Sequence, residues 1–340
     1  MRRRSHPRRR SLVRTVLGVA SICALLLAFL LVSDRGVQGG YLVAAPGTTA
    51  DLPAFERDLQ AVKDNGGTWV RFGVRAYDVV DDWADAGSIR FDPEGLNTVD
   101  SALDLATAAG LEVYLVTADT VPEEAVARSG RPYLEIMTDY WQHLAERFGD
   151  RVALWQVFNE ADGGHFRTGD GLGGELPPAY LEELALVLDR AATTIRAAAP
   201  RVDVTTTANG YPVDDAMEEH WAVFFEAVGD PLDVVGVGLY PQVDQPAIGS
   251  LSDRLERLRD RVGKPVVVAE LGLQTCPGCF SEADQGTYVA ASLRELRSAP
   301  VRAVLVYELR DSDQYGFGIL HRGWIPKAGA QEIGESLRRL

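Results

Sequence analysis

Eight times between Tyr41 and Leu340 a short apolar run is followed by a longer amphipathic one, and no other feature of the sequence narrows the fold so far. The apolar runs begin at Tyr41, Thr68, Leu111, Val152, Val202, Leu232, Pro265 and Val301. The amphipathic stretches span 52–64, 93–109, 132–148, 178–198, 214–228, 251–262, 282–298 and 328–340. In the first, Phe55, Leu59 and Val62 recur at helical spacing, and Asn65-Gly66-Gly67 supplies the residues that end a helix. The fourth begins on Pro178 and stops before Pro200, as proline opens a helix well and cannot continue one. Strict alternation implies parallel strands joined by crossover helices. Eight such units in about 300 residues fit one closed (β/α)8 TIM barrel, an α/β fold. A doubly wound open sheet is the structural rival. No Gly-x-Gly-x-x-Gly follows the first strand, so no dinucleotide site supports it.

Loop lengths then distinguish the two ends of the barrel. Links from helix to strand are short, at 65–67, 110, 149–151 and 263–264. Loops from strand to helix are long, at 75–92, 118–131, 161–177 and 310–327. Barrels of this kind build their sites from the loops at the carboxyl ends of the strands.

The first 40 residues read differently. Seven arginines precede an uncharged run from Thr15 to Ser33, 19 residues that suffice to cross a hydrocarbon core of ~30 Å as a helix. No small-x-small cleavage motif lies between Val32 and Gly40. The expectation is a cytoplasmic basic segment (1–14), a retained transmembrane signal anchor (15–33), a linker (34–40) and an extracytoplasmic catalytic barrel (41–340). That makes a single-pass protein of the cell membrane; a cleaved signal and secretion are the alternative. Eight of the 34 basic residues and one of the 49 acids fall within 1–35, which leaves 26 and 48 for the rest, a net charge of −22. So acidic a body argues against nucleic acid as a partner.

Two strands end on acids. Leu154-Trp155-Gln156-Val157-Phe158-Asn159-Glu160 runs into Ala161-Asp162-Gly163-Gly164, and Pro265-Val266-Val267-Val268-Ala269-Glu270-Leu271 carries a second glutamate. Both lie at the long-loop end, on strands four and seven, in opposite sectors of an eight-stranded ring. Two carboxylates flanking a substrate suit glycoside hydrolysis, one protonating the leaving oxygen while the other attacks the sugar or stabilises its cation. Structural ion pairing is the alternative for each acid. Asp119 after strand three and His165 in the loop after Glu160 are softer candidates for the cleft. Tyr211, Trp324 and Trp83 either stack on sugar rings or pin loops. Glu308, Arg310 and Asp311 read as a self-contained ion-pair network. The five histidines are scattered, and Cys276 and Cys279 lack a second ligand pair, so neither a metal nor any other cofactor is expected. No nucleophile elbow supports serine chemistry.

The segments Trp155 to Glu160, Val268-Ala269-Glu270-Leu271-Gly272 and Tyr307-Glu308-Leu309-Arg310-Asp311 resemble clan A of the retaining glycoside hydrolases, as does the spacing of 110 residues between the acids. The tail, Tyr315 to Leu320 and then Pro326-Lys327-Ala328, resembles its bacterial family 39-like and family 5-like members. The resemblance covers about residues 41–340. It implies Glu160 as acid/base, Glu270 as nucleophile and Asn159 on the sugar 2-hydroxyl. It also implies that Tyr240 hydrogen-bonds the nucleophile and that Arg71 holds it ionised. The sequence departs from many family 5 members in having Gly238-Leu239, with no histidine, before Tyr240, and Tyr307 where tryptophan is usual. Tyr307 is counted among the substrate-binding residues.

The expected function is hydrolysis of O-glycosidic bonds in a polysaccharide or glycan, with retention, by a monomer. A non-catalytic carbohydrate-binding barrel is the alternative. A disulfide reductase built on Cys276-Pro277-Gly278-Cys279 lacks a thioredoxin-like context. Outside the cytoplasm those two cysteines meet oxidising conditions and are expected to pair with each other.

Overall fold

The structure, a computed structural model, describes residues 36–85, 87–163, 175–240, 248–313 and 315–340. The proposed span at 15–33 lies outside the described residues, as does His165; among the described residues no helix is long and apolar enough to cross a membrane. Val37–Leu340 forms one compact unit.

Its centre is a parallel sheet of β1 (Gln38–Leu42), β2 (Trp69–Gly73), β5 (Glu112–Thr117), β6 (Leu154–Val157), β7 (Asp203–Thr205), β8 (Thr207–Ala208), β9 (Val235–Leu239), β10 (Val266–Leu271) and β11 (Val301–Val306). The strands pair in the order β7-β6-β5-β2-β1-β11-β10-β9-β8. The two ends of that order, β7 and β8, are separated in the chain only by Thr206. They are two pieces of one barrel stave, so the nine strands make eight sectors and the sheet returns on itself, as in a (β/α)8 barrel. The interruption lets β7 pair with β6 (Trp155 with Val204) while β8 pairs with β9 (Ala208 with Val237).

Among the described residues eight helices of eight residues or more follow the staves, and each expected helix is found. In helix Pro178–Ala198, Leu181, Leu184, Leu188, Ala192 and Ile195 are buried at spacings of three and four, the stripe a helix turns toward a sheet. Asp214 caps Asp215–Val228 by accepting from the Met217 N–H at 2.9 Å, and Ser281 with Asp284 forms a capping box at Glu282–Leu296. Between helices and strands lies the larger apolar core. A smaller one fills the ring itself, from Trp69, Tyr114, Leu154, Val267, Ala269 and Leu305 among others. Each large apolar side chain fully withdrawn from water contributes about 1.5–3 kcal/mol.

Several expectations need correction. The loop after β2 is not plain loop. It holds a helical turn, Ala76–Val79, and an antiparallel hairpin of β3 (Val80–Asp85) and β4 (Ser88–Phe91). Trp83 belongs to that hairpin and packs on Tyr140 with ring centroids 5.1 Å apart, so it pins the loop. The strand expected over 152–160 stops at Val157, and the one over 301–309 stops at Val306. The residues beyond each leave the sheet to form the mouth of the barrel.

Candidate active site

At the end of β6 the backbone turns sharply. Phe158 and Glu160 adopt φ of 61° and 47°, the left-handed region that L-residues avoid. Such residues cost about 1–3 kcal/mol each and persist only where neighbours over-determine them. The neighbours here are Gln156 and Thr207. Gln156, buried inside the ring, donates from Nε2 to the Phe158 carbonyl at 2.7 Å, to Asn159 Oδ1 at 2.9 Å and to Thr207 Oγ1 at 3.0 Å. The Glu160 N–H donates to Thr207 Oγ1 at 2.8 Å. A polar side chain at an inward position of an apolar strand was the available signal for Gln156, and the sequence reading missed both residues.

Glu270 reaches the same place by another device. Val267 and Ala269 face the interior of the ring, so the two-residue period of a strand would turn Glu270 outward. The pairing of β10 slips by one residue here: Val268 opposes Val237 and Glu270 opposes Gly238, with Ala269 unopposed. That bulge exchanges the faces and re-aims the side chain into the mouth. There Arg71 Nη1 donates to Glu270 Oε1 at 2.6 Å, and the Tyr240 hydroxyl donates to Oε2.

Arg71 organises the floor. Its other terminal nitrogen donates to Gln156 Oε1 at 3.0 Å and Asn159 Oδ1 at 2.8 Å, and its plane lies over Tyr114, 5.3 Å from the ring centroid. One buried guanidinium therefore ties the Glu270 strand to the Asn159-Glu160 turn. Asn159 Oδ1 accepts from Arg71, Gln156 and Thr207. Its NH2 group is thus left to serve a ligand, since an amide carries its donors on the nitrogen alone.

The two glutamates differ in surroundings. Burial, then the charges of Glu270 and Asp162, push the Glu160 carboxyl up to about 7, against a smaller downward pull from Arg71. Burial, then the charge and hydrogen bond of Glu270, raise the Tyr240 phenol well above its ordinary value, so it is a donor across the working range of pH.

Above this floor opens a cleft of about 1000 Å3, lined by Arg71, Asn159, Glu160, Tyr240, Glu270 and Tyr307 together with loop residues. Tyr240, Tyr307 and Phe317 form one wall, with centroids 5.2–6.2 Å apart in edge-to-face contacts. Gly272 lets them close up, because a Cβ there would stand 2.6 Å from the Tyr307 carbonyl and 3.0 Å from the Tyr240 ring. Cys276 and Cys279 form a disulfide and also line the cleft.

Other candidates take other places. Asp119 accepts from the Ala76 N–H and supports the helical turn after β2; it does not line the cleft. Trp324 donates to Asp58 at 2.7 Å and lies under Arg57 and Arg310, which makes it a pin. Tyr211 does line the cleft and is 52% exposed. The charged end of the last strand is not self-contained: Arg310 pairs with Asp58 and Asp311 with the buried Lys327, each at the distances of strong ion pairs (2.9 and 2.7 Å). Glu308 accepts from the Ser312 N–H, and burial pushes its carboxyl up to about 7. Among the described residues no cluster of His, Cys, Asp and Glu could hold a metal ion.

Comparison with known proteins bears on the same geometry. Residues 137–295 match the model of glycosyl hydrolase family 53, a span that contains both Glu160 and Glu270. No curated protein matches the sequence. Among solved structures, β-glucosidase from Thermotoga maritima in complex with galacto-hydroximolactam is similar with a TM-score of 0.68 at 14% identity, over 90% of this chain and 98% of that one. The virulence factor SghA from Agrobacterium tumefaciens is similar with a TM-score of 0.68 at 15% identity, over 92% and 99%. At such identity these likenesses concern the fold. The narrower resemblance to families 39 and 5 finds no counterpart in these matches. The family 53 match and the barrel it lies in support a glycoside hydrolase.

Proposed function

We propose that the barrel hydrolyses O-glycosidic bonds of a glycan by double displacement with retention, Glu160 acting as acid/base and Glu270 as nucleophile. The observation that carries this reading is the contrast between two carboxyls of one cleft. Glu160 holds its proton up to about pH 7; Glu270 receives a guanidinium on one oxygen and a phenol on the other. An ionised carboxylate only accepts hydrogen bonds, and here donors occupy both its oxygens.

In the first step Glu270 attacks the anomeric carbon as the glycosidic bond breaks, and the Glu160 proton passes to the leaving oxygen. In the second, Glu160 as carboxylate takes a proton from water, whose oxygen displaces Glu270 from the same carbon. Asn159, its NH2 free of acceptors among the described residues, binds the sugar hydroxyl next to that carbon. Tyr307 and Tyr240 wall the site on one side.

The protein is further read as anchored in the cell membrane through 15–33, with the barrel outside. This rests on the uncharged run behind seven arginines. The test is a hydrolysis panel of oligo- and polysaccharides followed by NMR of the first-formed product. Retention of the anomeric configuration is expected; inversion would remove the double-displacement mechanism. Membrane fractions should hold the full-length chain, and recovery of a shortened soluble product lacking 1–35 would remove the anchor.

A further inference from the structure

The loop after β2 presents an aromatic side chain that the proposed chemistry does not use. Tyr77 is 72% exposed. Lone exposed aromatics are common and need no role, but this one is held in place from several sides. The Arg75 guanidinium lies over its ring, 4.9 Å from the centroid. Arg75 is itself fixed through Nε to Asp78 Oδ2 at 2.5 Å. The helical turn carrying Tyr77 begins at Ala76, whose N–H is bound by Asp119. It is seated against Gly95, where a Cβ would come within 1.6 Å of the Asp78 carbonyl. A ring with one face covered by a pinned cation and the rest open to water is a stacking surface whose ordering entropy is already lost.

Its position matters as much. Arg75 lines the cleft. Its two terminal nitrogens hydrogen-bond no group among the described residues, only Nε being taken. Gly47 leaves room for that end, since a Cβ there would stand 2.5 Å from Nη2. Asp51, across Gly47, accepts from the N–H groups of Gly47 and Thr48 on Oδ2 at 3.1 and 2.9 Å; it draws the Arg75 charge but forms no ion pair with the fork. Tyr77 stands beside Arg75, just outside the lining, while the other exposed tyrosines among the described residues, Tyr211 and Tyr315, line the cleft. Tyr77 follows β2, Tyr211 β8 and Tyr315 β11, so the three come from well-separated sectors at the carboxyl end of the barrel.

We propose that Arg75 and Tyr77 form a remote sugar subsite, which binds two neighbouring pyranose units of a glycan chain several units from the bond cleaved between Glu160 and Glu270. Hydroxyls of the unit nearer the cleft accept from the two free nitrogens of Arg75, and the apolar face of the next unit stacks on the open face of Tyr77. The subsite rests on the glycosidase reading for its purpose and makes the substrate a chain rather than a disaccharide.

The test uses the full-length protein and β-linked gluco- and galacto-oligosaccharides of two to six units. The quantity read is the ratio of kcat/KM for the six-unit substrate to that for the two-unit one. Tyr77→Ala should lower this ratio roughly 3- to 10-fold, the range of one aromatic contact. Arg75→Met should lower it as well, and Tyr77→Trp should restore it. A ratio left at the wild-type value by Tyr77→Ala, or lost equally in Tyr77→Trp, would overturn the subsite. If the wild type cleaves none of these probes, calorimetry decides the subsite separately from the glycosidase reading. Six-unit binding weakened by Tyr77→Ala supports it, and binding that is absent or unaltered overturns it.

Discussion

Replacing Glu160 by glutamine should cost the protein its catalysis and stabilise its fold, by an amount that depends on pH. The carboxyl is pushed from 4.5 up to about 7 by burial and by the Glu270 and Asp162 charges. A carboxyl whose folded pKa exceeds its unfolded one opposes folding when ionised. Below pH 4.5 it is protonated in both states and carries no penalty. From there to about pH 7 the unfolded chain releases its proton more readily, and stability falls. Above pH 7 the penalty is complete and constant. The shift corresponds to about 3 kcal/mol, at about 1.4 kcal/mol per pH unit. Glutamine has nothing to ionise, so Glu160→Gln should be more stable than wild type by up to about 3 kcal/mol at pH 8 and nearly equal to it at pH 4. For a domain of this size that is about 5 °C in Tm. Glu308, also pushed up to about 7, depresses stability over the same range but does so in both proteins and cancels. Scanning calorimetry of both proteins at pH 4, 6 and 8 reads the difference. A gap independent of pH, or one that favours the wild type at pH 8, would refute the reasoning about the site's electrostatics.

Other expectations concern the same cleft. Glu270→Ala should abolish formation of a glycosyl-enzyme, whereas Glu160→Ala should still accumulate it from aryl glycosides with good leaving groups, as mass spectrometry of the quenched enzyme would reveal. In the wild type, kcat/KM should fall as pH rises through about 7, where Glu160 of the free enzyme loses its proton; a profile flat to pH 9 counts against Glu160 as the acid. Gly272→Ala places a carbon 2.6 Å from the Tyr307 carbonyl and 3.0 Å from the Tyr240 ring. It should lower stability by about 1–3 kcal/mol and kcat more than KM, because Tyr240 is moved off Glu270. Replacing Cys276 and Cys279 together by serine should lower stability by about 2 kcal/mol or less in a urea titration, since the loop they close is very short.

Much of this architecture could be read from the chain, and what could not has a common cause. Every crossover helix, both glutamates and the working end of the barrel follow from local pattern, because hydrophobic period and loop length are properties of contiguous residues. Arg71 and Tyr240 were found through resemblance, and each donates a hydrogen bond to Glu270. The bulge at Ala269 was invisible, since strict alternation turns Glu270 the other way and only the partner strand's register reveals the slip. The break at Thr206 is of the same kind: the stave is interrupted because it serves two neighbours. Asp119 was offered to the substrate, and Trp83 was left between stacking and pinning, because the helical turn and hairpin they hold in place could not be seen in a stretch without clear periodicity. Gln156 and Thr207 matter through hydrogen bonds across 51 residues of sequence, a distance no motif spans.

The order of influences on Glu160 has a consequence in time. Double displacement asks one carboxyl to give up a proton in its first half and to accept one in its second, tasks that call for opposite proton affinities. The Glu270 charge is the second of the causes that raise Glu160, and Arg71 is the one that lowers it. In the proposed mechanism, when Glu270 becomes an ester to the sugar its charge disappears and the Arg71 guanidinium, bound to it at 2.6 Å, is left without its counter-ion. The balance at Glu160 then tips toward the anion just as water must be deprotonated. Hydrolysis of the ester restores the Glu270 charge, and with it the affinity that lets Glu160 recover a proton. The turn of the cycle is thus kept by the covalent bond itself, with no side chain required to move.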